Sequence, residues 1–365
     1  MQANVQQDWL RLHLTVGLGR VGIIKLISTF GSAAAALEKS RHQWAQQAGL
    51  TSVRISDPPP VSDQRFIQAW KKLLSCQARI ISLWDEEYPA LLRTIHDPPA
   101  LLYVRGQLPE QRCFAIVGSR QATTEGTRFA REIASSLARH NICVISGLAR
   151  GIDTAAHRGA IEGGGSTVAV LGSGIDRIYP SENKKIFHQI CQQGAIISEY
   201  SPGTAPHAGH FPARNRIISG LSEGVLIVEA AHKSGSLITA DFALEQGRDV
   251  YAAPGSAYNP HCQGSLHLLK QGAILTTDTS DILDNLNIDE LSMQQLPATK
   301  YDVTRLSEKQ KILYDILLPT PLHLDQLAQQ SGLTPMDVSA IVLHLELEGL
   351  ASSLPGGRYI RGFAG

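Results

Sequence analysis

Phe114-Ala-Ile-Val-Gly118-Ser119-Arg120, Ile142-Cys-Val-Ile-Ser146-Gly147-Leu-Ala-Arg150-Gly151-Ile-Asp153 and Thr167-Val-Ala-Val-Leu-Gly172-Ser-Gly174-Ile-Asp176 repeat one unit: a short apolar run, a Gly-rich polar loop, then a helical segment. Ala195-Ile-Ile-Ser198 and Gly224-Val-Leu-Ile-Val-Glu229 continue the series, and Lys233-Ser234-Gly235-Ser236 supplies the last loop. The runs are apolar without alternation, the pattern of parallel strands whose two faces are both covered by helices. In an open α/β sheet the loops at the strands' C-terminal ends gather along one edge, where ligands bind. The reading is therefore an α/β fold with a Rossmann-like parallel sheet, its site on that edge.

Around this core the totals describe a globular chain. It has 365 residues, enough for two or three domains, and is 43% hydrophobic. No apolar run reaches membrane-spanning length, and Met1-Gln-Ala-Asn-Val-Gln-Gln-Asp lacks the regions of a signal peptide, so a cytoplasmic protein with no membrane partner is expected. The five cysteines (76, 113, 143, 191 and 262) show no paired spacing and read as free thiols, Cys113 and Cys143 in or beside core strands.

Net charge is zero, unlike most nucleic-acid binders, but its placement is uneven. Residues 111–285 carry fifteen basic and fifteen acidic side chains, yet no Asp or Glu occurs between Glu199 and Glu223. Arg214 and Arg216 lie in that gap, preceded by His207 and His210. A local basic site on a neutral protein follows.

The flanks read differently. Residues 1–80 form a helical domain: Trp9 to Leu14, Gly22 to Ile27, and Ser62 to Gln77. Gly17-Leu-Gly19-Arg-Val-Gly22 matches the dinucleotide fingerprint in letters only, since no βαβ unit surrounds it. It reads as a helix-turn-helix hairpin, either a helix-hairpin-helix element offering N–H groups to a phosphate or a plain packing hairpin. Residues 81–285 make the α/β domain, entered through an irregular strap that ends in an edge strand near Leu101-Leu-Tyr-Val-Arg105. Residues 286–306 form a polar linker. Residues 307–365 read as three helices and a hairpin, a winged-helix domain. Its second helix-turn-helix helix, Met336 to Leu347, has no Lys or Arg, so protein contact or packing is favoured over reading of duplex DNA.

Within the core, Thr123 or Thr124, Asp153, Ser181, and Ser234 or Ser236 are placed to cap helices whose N-termini point at one sheet edge, a setting that favours phosphate. Arg120 follows the first strand directly, and its planar fork suits phosphate, with a loop salt bridge as the alternative. In Phe211-Pro-Ala-Arg214-Asn215-Arg216, Asn215 meets a base edge or holds the loop, while Arg214 and Arg216 fall on different faces and one of them can be structural. Lys233 stands among small residues at a helix start.

Catalysis finds little support. There is no G-x-S-x-G elbow, no H-E-x-x-H, no Walker motif and no Cys/His cluster at zinc spacing. His207 and His210 lack further partners for a metal, and no metal or cofactor is expected. Glu199 and Glu229 end strands at the ligand edge, where anchoring of loop N–H groups is preferred over a role as base.

Five ordered blocks carry a resemblance: Gly118-Ser119-Arg120, Ser146 to His157, Ala169 to Asp176, Phe211 to Gly220, and Lys233 to Ala240. Together they resemble the DprA/Smf family of DNA-processing proteins over roughly residues 80–285. That resemblance implies an extended Rossmann fold with a SAM-like or helix-hairpin-helix-like N-terminal domain and a C-terminal winged helix. It also implies sequence-independent binding and protection of single-stranded DNA, a homodimer, and loading of the recombinase RecA in recombination and natural transformation (competence), without catalysis. Carried over by motif, Gly118, Ser119, Arg120, Gly147, Arg150, Gly151, Phe211, Arg214, Asn215, Arg216, Lys233, Ser234 and Gly235 would line the phosphate-binding site. The alternative is a nucleotide-cleaving enzyme of the lysine-decarboxylase-like phosphoribohydrolases. The comparable segment here, Lys233 to Asp241, lacks their catalytic-type Glu.

Overall fold

The computed structural model describes residues 2–50, 54–286, 306–317, 322–348, 350–354 and 357–361. The chain divides into two compact units, Met1–Gln294 and Gln295–Gly365. Most of the linker expected at 286–306 lies outside the described residues.

The first unit opens with five helices: α1 (Gln2–His13), α2 (Arg20–Phe30), α3 (Ala33–Leu37), α4 (Arg41–Ala48) and α5 (Gln64–Ser75). Their starts are specified locally. Ser32 and Asp63 cap α3 and α5 through their side-chain oxygens, and Ser40 with Gln43 forms a capping box on α4. The Gly17–Gly22 string runs from the turn after α1 into the first turn of α2, with helix and no strand on either side, so no dinucleotide fingerprint exists there. Trp9, Leu10, Leu12, Ile23, Leu26, Trp44, Phe66 and Leu73 share one core with Leu101, Tyr103, Phe187 and Ile196 of the sheet unit. The N-terminal helices are thus a cover for one region of the sheet.

Nine strands follow: β1 (Arg79–Ser82), β2 (Leu101–Gly106), β3 (Cys113–Val117), β4 (Cys143–Ser146), β5 (Thr167–Leu171), β6 (Ala195–Ser198), β7 (Gly224–Ile227), β8 (Asp249–Ala252) and β9 (Ile274–Leu275). The one-turn α6 (Ala90–Arg93) joins β1 to β2. Between the later strands run α7 (Thr124–Arg139), α8 (Ile152–Glu162), α9 (Lys184–Gln193), α10 (His210–Gly220), α11 (Gly235–Glu245) and α12 (Gln263–Lys270), and α13 (Ser280–Asn285) follows β9. The sheet order is β1-β2-β6-β5-β4-β3-β7-β8-β9. From β6 to β9 all pairs are parallel, whereas β1–β2 and β2–β6 are antiparallel. The chain grows outward from β3 in both directions, so the topological switch point lies between β3 and β7.

Three expectations change here. The strand at Leu101 is internal, because β1 pairs with its outer side (Ile81↔Leu102) and β6 with its inner side (Tyr103↔Ser198). Asp153 is not a cap: α8 starts after Gly151, and Asp153 sits inside its first turn. Ser181 opens a single 3₁₀ turn instead of capping α9. Thr123 and Ser234 do cap α7 and α11. Cys113 and Cys143 pair across β3 and β4, both buried and free. Among the described residues no helix is long and apolar enough to cross a membrane.

The second unit contains α14 (Glu308–Ile316), β10 (Leu322–His323), α15 (Leu324–Ser331), α16 (Pro335–Leu347), β11 (Ala351–Leu354) and β12 (Arg358–Arg361). Its three-stranded sheet runs β10-β12-β11, and Leu313, Leu327, Val338, Val342 and Leu345 fill its core. Three helices and a β-hairpin make it a winged helix.

Candidate functional site

At the switch point the N-terminal turns of α8, α10 and α11 meet a cavity of about 870 Å³. Its walls come from the end of β3 and the loop after it, from the loop after β7 and from the starts of α8, α10 and α11, with Gly118, Ser119, Arg120, Phe211, Arg214, Asn215, Ser234 and Gly235 among the lining residues. Eight of the thirteen residues singled out from sequence therefore meet in one place.

The loops are locked before any ligand arrives. Ser119 Oγ accepts from the N–H of Gln121, and the Ser119 carbonyl accepts from Ile152 N at 3.2 Å. Gly151 makes that approach possible: its φ is +73°, and a Cβ there would stand 2.2 Å from Ser119 O. Glu229, at the end of the β7 run, accepts from Thr123 N (2.9 Å) and Thr123 Oγ1, fixing the start of α7. A buried carboxylate with two such donors is an anchor.

Arg214 forms the floor. It is 3% exposed, and its Nη1 donates to Val170 O at 3.0 Å across Gly147. Its Nε has no hydrogen-bond partner among the described residues. Burial pulls its pKa down to about 10; the neighbouring Asp153 opposes that shift and Arg120 adds to it. Asp153 is itself pushed above the usual carboxylate range by burial, with Arg214 pulling the other way, and its Oδ2 accepts from Ala149 N at 3.3 Å. Behind them His157 is fully buried, Nδ1 against Thr167 Oγ1 at 2.7 Å. Thr167 donates onward to Val144 O, so His157 donates from Nδ1. Burial, then the charge of Arg214, holds the His157 pKa down to about 3.

The rim is aromatic and cationic. The Arg120 guanidinium stands 5.1 Å from the Phe211 ring centroid, a cation–π distance, and the Tyr179 ring lies 5.7 Å from the same ring. Arg120 and Tyr179 are exposed. Asn215 donates from Nδ2 to Gly235 O at 3.1 Å, tying α10 to the start of α11, and Ser234 and Ser236 share a 2.7 Å hydroxyl contact. This arrangement offers open amides, one buried and one exposed guanidinium, and flat ring faces. It suits an anion attached to planar groups.

Five expected residues take other positions. Gly147 and Gly151 shape the floor and the loop without lining the cavity. Arg150 is paired with Glu182 on the surface. Lys233 is exposed beside the cavity. Arg216 points away: it is 5% exposed, donating from Nε to Asp97 O and Oδ2 and from Nη2 to Glu199 Oε1 at 2.6 Å. Arg20 of α2 completes this group through Asp97. Arg216 and Glu199 thus form a buried ion-pair network, because residues 214 and 216 leave a helix on different sides. Sequence reasoning missed Tyr179 and the lining role of Asp153. A lone aromatic in a loop after Asp176 was the only signal for the first. The His207 and His210 rings lie 5.3 Å apart, His210 stacked on Tyr200 at 4.1 Å, and among the described residues no group of three or more metal-type side chains occurs.

Comparison with known proteins assigns this architecture. Residues 79–287 match the family described as DNA recombination-mediator protein A, and residues 297–357 match the DprA winged helix domain. Protein Smf of Escherichia coli is 41% identical over 337 residues, covering 87% of this chain and 86% of that protein. DNA processing protein DprA of Streptococcus pneumoniae is 44% identical over 230 residues, 62% of this chain and 81% of that one. The solved structure of DprA from Streptococcus pneumoniae aligns with a TM-score of 0.63 at 35% identity, over 78% of this chain and 97% of that one. A second structure, of DNA processing protein A from Helicobacter pylori, aligns with a TM-score of 0.52 at 29% identity over 58% and 96% of the two chains. Its description concerns that protein's single-stranded DNA binding mode. The chain belongs to the DNA recombination-mediator protein A (DprA/Smf) family.

Proposed function

We propose that this chain binds single-stranded DNA without sequence preference along the β3/β7 edge and, as a homodimer, hands the strand to the recombinase RecA in recombination and natural transformation. One observation carries the binding: Arg120 over Phe211, with Tyr179 alongside, at the mouth of a cavity floored by Arg214 and ringed by helix N-termini. Cations and amides take phosphates, ring faces take bases, and neither reads a base edge. The single-stranded DNA binding described for the Helicobacter pylori relative agrees with this ligand. The protein acts in the cytoplasm and performs no chemistry on the strand. The two strand-end carboxylates, Glu199 and Glu229, are committed to Arg216 and Thr123.

The cation supply also sets the salt response. With Arg150 and Arg216 paired elsewhere, two or three phosphates are neutralised, giving a log–log slope of about −1.4 to −2. Fluorescence anisotropy with labelled oligo-dT and a duplex of the same length, at two salt concentrations, tests this. Salt-sensitive preference for the single strand is expected, followed by faster RecA filament growth on strands pre-bound by the protein. Equal duplex binding, or release of free base from a nucleotide by the purified chain, would overturn the reading.

A further inference from the structure

We propose that the outer face of α16 in the winged-helix unit is a docking surface for a basic amphipathic helix of another protein. Along α16, Val338, Val342 and Leu345 are fully buried in the unit's core. On the opposite side Met336, Ala340, Leu343 and Leu347 follow at spacings of four, three and four, which places them on one stripe of a helix. Met336 is 85% exposed, Leu343 58% and Leu347 80%. A helix apolar on both faces is expected where both are covered, and here one is open. Large exposed apolar side chains in a contiguous row mark an interaction site far more than singly scattered ones do.

Charge selects the occupant. Between Lys311 and Arg358 the sequence has no Lys or Arg, while Asp315, Asp325, Asp337, Glu346 and Glu348 all fall in that stretch. Asp337 and Glu346 flank the stripe on its two sides, Asp337 held by Thr334 and Glu346 by Ser353 N at 3.1 Å, so the rim is fixed as well as acidic. DNA is the poorer occupant, because the helix that would enter a groove carries no Lys or Arg. A second copy would set acidic rim against acidic rim. A helix with an apolar stripe and Lys or Arg beside it matches both features, in the helix-in-groove manner that reads i, i+4 and i+7 anchors.

The test uses the full chain and a labelled designed peptide: an amphipathic helix of about 18 residues with a leucine stripe and Lys/Arg flanks, compared with the same peptide bearing Glu flanks. Anisotropy should show the basic peptide binding at least about tenfold more tightly, a margin that shrinks as salt rises. Leu343→Asp and, independently, Met336→Asp should each weaken the basic peptide by about tenfold or more, with the thermal midpoint retained because both side chains are exposed. Three results would overturn the proposal. One is undiminished peptide binding to both variants, or none to the native chain. Another is duplex DNA binding that Leu343→Asp abolishes. The third is concentration-dependent self-association, seen by sedimentation, that the same variant removes.

Discussion

The guanidinium of Arg214 occupies the space that any side chain on Gly147 would need: a Cβ at 147 would stand 1.6 Å from Nη1 and 2.2 Å from Cζ. The glycine in the loop after β4 is therefore one half of the cavity floor, and the arginine of α10, five elements later, is the other. Gly147→Ala should cost about 1–3 kcal/mol by overpacking, read as a lower urea midpoint. It should also weaken oligo-dT binding, since Arg214 must leave the Val170 carbonyl. Native midpoint and native affinity together would show that the floor tolerates the methyl.

Arg120 is exposed and held by a ring face, so its loss removes a charge without opening the core. Arg120→Ala should weaken single-strand binding and flatten the salt slope by about 0.7, the share of one phosphate contact on a single strand. The thermal midpoint should stay where it was. An unchanged slope would take Arg120 out of the phosphate path.

Tyr179 makes a different prediction because its contribution is a surface rather than a charge. Tyr179→Ala should lose about 1–3 kcal/mol of binding, the worth of one stacked base, with the salt slope intact. Tyr179→Phe should restore it. Failure of the phenylalanine to rescue would point to the hydroxyl.

Arg216 separates a structural arginine from a ligand-facing one. Arg216→Ala leaves the partly buried Glu199 without its partner, at a cost of up to about 3–5 kcal/mol, the value for a fully buried pair. The denaturant midpoint should fall sharply, while the fraction still folded binds oligo-dT normally. The reverse pattern, native stability with lost binding, would return Arg216 to the ligand edge.

His157 gives the fold an acid sensitivity. Its folded pKa, about 3, lies below the ordinary 6.5, so on acidification the unfolded chain takes up a proton that the folded chain refuses. Stability from this group is whole above about pH 6.5 and falls toward pH 3, by at most about 1.4 kcal/mol per pH unit. His157→Asn retains a donor for Thr167 and should flatten that slope, whatever it does to absolute stability. Parallel pH–stability curves for the two proteins would exclude the histidine as the source.

The sequence revealed the centre of the sheet more readily than its margin, for a physical reason. Strands such as Phe114–Val117 are buried on both faces and announce themselves as unbroken apolar runs. Arg79–Ser82 is four residues directly after a helix, and its pairing with Leu101–Val104 is a long-range contact that no local pattern encodes. The same limit applies at the site. The glycines and caps around Ser119, Thr123 and Ser234 were legible because backbone geometry dictates their types. Which of Arg214 and Arg216 faces the cavity depends on Asp97 and Glu199, distant in sequence, and only the folded structure brings those carboxylates to one arginine.

The shared core between the N-terminal helices and β2/β6 bears on how the chain is made. Leu10, Trp44 and Leu73 are sequestered partly by Tyr103, Phe187 and Ile196. During vectorial synthesis the first five helices therefore leave the ribosome before much of their packing partner exists. At roughly 5–20 residues per second, the hundred or so residues between α5 and β6 take on the order of ten seconds to follow. For that interval these helices carry an uncovered apolar face, the kind of transient surface that makes a growing chain prone to aggregate.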